Sequence, residues 1–153
     1  MIPQDDFERF YRDTLPRLES FVARLASSRA IAEDVVQETY YRFLRAAFPG
    51  ATDEERRRYL YRIAVNLMKN QWARAREHEV LGEEIASRDS SARLDVADIL
   101  RRMSSRDRAL LWLAYAEGYS HREIGEVMGV GTMSVRVLLS RARKRFASMM
   151  EST

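Results

Sequence analysis

Apolar residues recur at steps of three and four along most of this chain, the spacing of one face of an α-helix. Phe7, Phe10, Tyr11, Leu18, Phe21, Val22 and Leu25 form a first stripe. Pro16 interrupts it, and either kinks one helix or begins a second. Asp5 and Asp6 stand where they can cap its start. Ile31, Val35, Val36, Tyr40, Phe43 and Leu44 form a second stripe over 30–47, with Ser28 as its cap and Pro49-Gly50 as its end. Thr52 and Glu55 make a capping box before a long helix reaching about Arg76, whose inward positions are Leu60, Ile63, Ala64 and Leu67.

The periodicity then fails. Residues 77–93 are acidic and serine-containing, which predicts a flexible linker. Leu94, Val96, Ile99, Leu100 and Met103 predict a short helix beyond it. Ser104 and Asp107 resemble a cap for a helix over 105–117, with Leu110, Leu113 and Ala114 buried and Gly118 as its close. Ser120 and Glu123 form a further capping box, followed by the apolar face Ile124, Val127 and Met128 and by Gly129 as a left-handed cap. A last helix begins near Thr132 and turns Val135, Leu139, Ala142 and Phe146 inward. Gly125, lacking a side chain, lets these two helices cross closely. Two short helices around a glycine turn predict a helix-turn-helix. The fold class is therefore all-α: two small helical domains, 1–76 and 94–153, joined by a flexible linker at 77–93, with the helix-turn-helix in the second.

Charge sharpens this picture. The net charge of +3 over 153 residues is unevenly spread: −4 over 1–55, +7 over 56–76, −5 over 77–100 and +5 over 101–153. Two basic blocks separated by an acidic segment suggest two contacts with nucleic acid. A solvated basic helix face explains either block alone equally well. The chain has no cysteine, which removes disulfides, thiolate zinc sites and cysteine nucleophiles. His78 and His121 lack a second ligand at metal spacing. No nucleophile-base pair and no phosphate-binding glycine loop is present, so the sequence predicts neither an enzyme nor a cofactor. The opening residues are acidic rather than basic then apolar, and the apolar run at 109–116 is too short to span a bilayer; a cytoplasmic protein is expected.

Three surfaces carry candidate chemistry. On the last helix, Thr132, Met133, Arg136, Val137, Ser140 and Arg141 face outward, as on a helix that enters the major groove. Arg141, Arg143, Lys144 and Arg145 cluster beside them. On the long helix, Arg58, Arg62, Asn66, Lys69, Asn70 and Arg74 lie opposite the buried stripe, flanked by Tyr59, Tyr61 and Trp72. Cations and amides interleaved with aromatics suit a single strand, whose phosphates need charge and whose bases need stacking surfaces. A long solvated helix with its aromatics packed inward suits the same pattern. On the second helix, Asp34, Gln37, Glu38 and Arg42 share one polar face.

The stretches AEDVVQETYYRFL, YLYRIAVNLMKNQWARAR and MSSRDRALLWLAYAEGYSHREIGEVMGVGTMSVRVLLSRARKRF, in this order, resemble an extracytoplasmic-function sigma factor of bacterial RNA polymerase over nearly the whole chain. The resemblance implies a promoter-specificity subunit with core RNA polymerase and promoter DNA as partners, and an anti-sigma factor as a further one. It implies that Asp34, Gln37, Glu38 and Arg42 meet polymerase. It places Tyr59, Tyr61, Arg62, Asn66, Lys69, Asn70 and Arg74 on the opened minus-ten strand. It places Thr132, Met133, Arg136, Val137, Ser140 and Arg141 on the minus-thirty-five duplex. The chain departs from the family's pattern at Tyr59, Asn70, Met103-Ser104, Gly131 and Leu138. Two other readings remain at this point. One is a sigma mimic that sequesters an anti-sigma factor, suggested by apolar Met133 and Leu138 on or near the reading helix. The other is a plain helix-turn-helix repressor, which leaves the first 76 residues unexplained.

Overall fold

The computed structural model describes residues 3–46, 52–80 and 95–151, with side chains of the second segment described through residue 73. Every regular element among them is helical. The elements are α1 (Gln4–Leu25), α2 (Arg29–Arg45), α3 (Asp53–Val80), α4 (Val96–Arg102), α5 (Ser105–Leu111), α6 (His121–Met128) and α7 (Thr132–Glu151). A π-helical segment, Trp112–Ala116, continues directly from α5.

Local chemistry sets most boundaries. The Ser28 hydroxyl accepts from the Ile31 amide and Thr52 from that of Glu55, both at 3.2 Å. Ser104 does the same for Asp107. Asp95 caps α4 through the amide of Asp98 at 2.8 Å. At α1 the expectation needs correcting. Pro3 occupies the cap position with no side-chain bond, and Asp5 and Asp6 lie in the first turn, where they favour the positive end of the helix dipole instead. Pro16 neither splits α1 nor starts a new helix; it sits exposed inside one continuous helix.

Helices α1 and α2 pack on each other and on α3, and the second half packs α5, α6 and α4 around α7. Helix α3 also packs against α6, and α1 against α5. A single apolar cluster therefore runs from Phe10, Phe21 and Phe43 through Leu60, Val65 and Met68 to Leu113, Ile124, Val127 and Leu139. The chain is thus two helical units by order, but the two are docked, with their cores continuous. Docking explains why α3 buries Tyr61, Val65 and Met68 besides the expected Leu60, Ile63 and Ala64: it is sandwiched from two sides. Leu67 is only partly buried, and Tyr11 and Leu44 are exposed, because they lie at the margins of their stripes. Helix α3 continues to Val80, beyond the expected end near Arg76; most of the expected linker, residues 81–93, lies outside the described residues.

Candidate nucleic-acid interface

The helix-turn-helix is built as its sequence requires. Ser120 accepts from the Glu123 amide at 3.2 Å, and Glu123 accepts in return from the Ser120 amide at 3.0 Å. That backbone bond, ahead of the nearby arginines, holds the Glu123 carboxyl below its ordinary range. Gly129 ends α6 at φ 71°, in the left-handed region that a side chain disfavours. A Cβ on Gly125 would stand 2.7 Å from the Val130 carbonyl oxygen and 3.6 Å from Val135. The tight approach is therefore to the turn first and to α7 second. Val135, Leu139 and Ala142 are buried, and Phe146 partly so. Thr132, Met133, Arg136, Val137 and Arg141 are exposed, with Ser140 half-buried. Leu138, the departure from the family pattern, packs against the core. Two members of the basic tail are engaged within the fold. Arg145 donates to the buried Asp107 carboxylate at 2.8 Å, and Arg143 to the Tyr115 hydroxyl at 3.2 Å.

The basic face of α3 divides into two. Arg62, Asn66 and Asn70 are exposed, whereas neighbouring Arg58, Tyr61 and Lys69 are hydrogen-bonded to the other half of the chain. Arg58, only 18% exposed at its side chain, bonds Glu123 at 2.9 Å and Glu126 at 3.3 Å. Lys69 donates to the Met128 carbonyl at 2.6 Å, so a cation closes the negative end of α6. Tyr61 is buried and donates to Glu117 at 2.6 Å. Burial first, then that bond and the charge of Glu117, push the Tyr61 hydroxyl far above its ordinary value and keep it a donor. Of the residues expected on a DNA strand, Tyr61 and Lys69 are thus occupied in this docked arrangement. Tyr59 is half-buried against the core, and the side chain of Arg74 lies outside the described residues.

Glu117 is the residue that sequence reasoning missed, and the carboxylate partners of Arg58 went unseen with it. The Glu117 side chain is 2% exposed and receives Tyr61, Trp112 at 3.2 Å and Arg17 at 3.4 Å. It sits one residue past the π-helical segment and joins that segment to α1 and α3. No local pattern marks it, since all but one of its partners lie at least 56 residues away in sequence.

The polar face of α2 is open. Asp34, Gln37 and Arg42 are exposed and Glu38 half-exposed, with Arg42 donating to Glu38 at 2.9 Å. Asp34, Gln37, Glu38 and Tyr41 meet Asn70 and Gln71 of α3 around an open depression of about 740 Å3. Among the described residues no group of three or more metal-ligating side chains comes together, and no helix is long and apolar enough to cross a membrane.

The described residues, all helical where regular, combine a helix-turn-helix with a second basic helix and a separate polar face, the architecture of a helical transcription regulator. Residues 10–78 match the family model for Sigma-70 region 2, and residues 93–146 that for Sigma-70, region 4. The RNA polymerase sigma factor CarQ of Myxococcus xanthus is 26% identical over 96% of this chain and 90% of its own length. The ECF RNA polymerase sigma factor SigL of Mycobacterium tuberculosis is 30% identical over 76% of this chain and 72% of its own. The chain belongs to the extracytoplasmic-function sigma factors, which direct RNA polymerase to promoters. It shares its fold with the sigma factor RpoE of Bartonella quintana, solved in complex with the anti-sigma factor NepR: TM-score 0.71, 24% identity, 95% of this chain and 97% of that one.

Proposed function

We propose that this chain binds core RNA polymerase through Asp34, Gln37, Glu38 and Arg42, and that it reads a promoter with two separate surfaces. Residues 1–76 form the unit that meets polymerase and captures the opened minus-ten strand, with Arg62, Asn66 and Asn70 first and Tyr59, Tyr61, Lys69 and Arg74 beside them. Residues 94–153 form the unit that enters the minus-thirty-five duplex through Thr132, Met133, Arg136, Val137, Ser140 and Arg141. Residues 77–93 connect the two. The chain acts in the cytoplasm and makes no bonds itself; an anti-sigma factor is a further partner.

The observation that carries this reading is the joint between the halves. Arg58, Tyr61 and Lys69 lie on the strand-capturing helix and are bound to Glu123, Glu126, Glu117 and Met128 of the duplex-reading half. Two promoter elements about 25 base pairs apart are separated by roughly 85 Å of duplex. In the docked form α3 and α6 are in direct contact and share one core, so the halves are held together rather than spread along the duplex. Opening frees the α3 strip, and residues 81–94, fully extended, span up to ~50 Å. The docked arrangement is therefore the resting form and the separated one the working form. The test is transcription from genomic promoter fragments by core polymerase with and without the chain. Transcripts that depend on the chain support the proposal. Capture of an anti-sigma factor with no transcript from any fragment replaces it with the mimic reading.

A further inference from the structure

Helix α7 presents an unusual face for a helix that enters DNA. Successive residues turn by ~100° around an α-helix, so the direction opposite buried Val135, Leu139 and Ala142 falls between Met133 and Val137. Those two apolar side chains, 70% and 46% exposed, are the centre of the outward face. Arg136 and Arg141 stand on its two flanks, and neither they nor Lys144 forms an ion pair among the described residues. The helix carries no acidic residue before Glu151. A large apolar group held in water gains only from a partner that buries it. A face flanked by unpaired cations selects a polyanion as that partner. The major groove of such a polyanion offers one apolar group, the C5 methyl of thymine.

We infer that Met133 and Val137 determine promoter specificity by packing on thymine methyl groups of the upstream element, with Arg136 and Arg141 gripping the flanking phosphates or guanines. This rests on the sigma-factor reading of α7 and adds the base it prefers. One helical turn separates the two residues, a rise of ~6 Å, close to two base-pair steps of 3.4 Å. The element should therefore carry thymines about two steps apart, on one strand or across both.

The experiment uses holoenzyme assembled from core polymerase and the full chain. Duplexes randomised through the upstream element are selected for retention, and each enriched thymine is then replaced by deoxyuridine, which differs only in lacking the methyl. The expected result is a loss of about fourfold in affinity per methyl, the equivalent of roughly 0.8 kcal/mol. The loss disappears in the Met133→Ala/Val137→Ala variant, whose two changes lie on the solvent face. Deoxyuridine substitution leaves the protein untouched, so its effect does not depend on how a variant folds. Equal binding of thymine and deoxyuridine duplexes overturns the inference while leaving the sigma-factor reading intact. So does a penalty that persists unchanged in the double variant. Equal binding, together with loss of core polymerase or another protein from the double variant, assigns the face to a protein instead. Failure to enrich any upstream sequence overturns the proposed function as well.

Discussion

Replacing Glu117 by glutamine should make the chain bind core polymerase more tightly, although it removes a stabilising interaction. The Glu117 carboxylate is almost wholly buried and accepts from Tyr61 at 2.6 Å and Trp112 at 3.2 Å. Bonds to a charged acceptor contribute ~1.5–3 kcal/mol each and neutral ones ~0.5–1.5. Glutamine keeps the shape and an acceptor oxygen, so each of the two bonds weakens by about 1 kcal/mol rather than vanishing. Arg17 is 62% exposed at its side chain and adds little. Trp112 and Glu117 belong to the same half, so of these two bonds only that of Tyr61 spans the joint, which loosens by ~1 kcal/mol, about a fivefold shift toward separated halves. Where the binding-competent form is a minor species, apparent affinity rises with its population. Titration of labelled chain with core polymerase should show tightening of up to about fivefold for Glu117→Gln, and more for Tyr61→Phe, which removes the spanning bond altogether. An unchanged or weaker affinity, with melting confirming that both variants fold, refutes the idea that the joint opposes polymerase binding.

Three further outcomes follow from individual contacts. Gly125→Ala should lower stability by ~1–3 kcal/mol in urea unfolding, because the new Cβ meets the fixed Val130 carbonyl and the clash exceeds the helix-propensity gain of alanine. Arg145→Ala should cost about 2 kcal/mol in the same assay, since it removes the 2.8 Å partner of buried Asp107, and an unchanged midpoint would show that the carboxylate needs no partner. Stability should hold from neutral pH to about pH 10 and fall above it. Burial raises Tyr40 from its ordinary 10 to about 12 and raises Tyr61 and Tyr119 in the same direction, so the unfolded chain releases their protons first. Melting temperatures between pH 9 and 12 check this, and Tyr40→Phe should flatten part of the decline.

Features set within a few residues were legible in the sequence. The caps at Ser28, Thr52, Ser104 and Ser120, the left-handed Gly129 and the buried stripe of α7 all depend on neighbours at most four positions away. The outward face of α7 followed from that stripe, and so did the exposed polar face of α2. What escaped depends on distant partners. Tyr61 read as a flank of the basic side, and Val65 and Met68 fell in no buried stripe, because part of the surface that buries this side of α3 arrives from α6, beyond the acidic segment. Arg58 and Lys69 read as strand-binding cations for the same reason, and Arg145 as part of a basic tail although Asp107 holds it. The end of α3 lies beyond the expected Arg76 because apolar periodicity marks a helix only where the sequence supplies an apolar stripe, and the helix runs on to Val80 without one.

The separation of the halves can be watched directly. The chain has no cysteine, so single cysteines at exposed Ser27 and Ser148, one in each half, accept a donor and acceptor dye without background. Energy transfer should be high in the free chain and drop when core polymerase and promoter DNA are added together. High transfer that persists in a complex making transcripts would contradict the account, for it would mean that a chain with docked halves does the work.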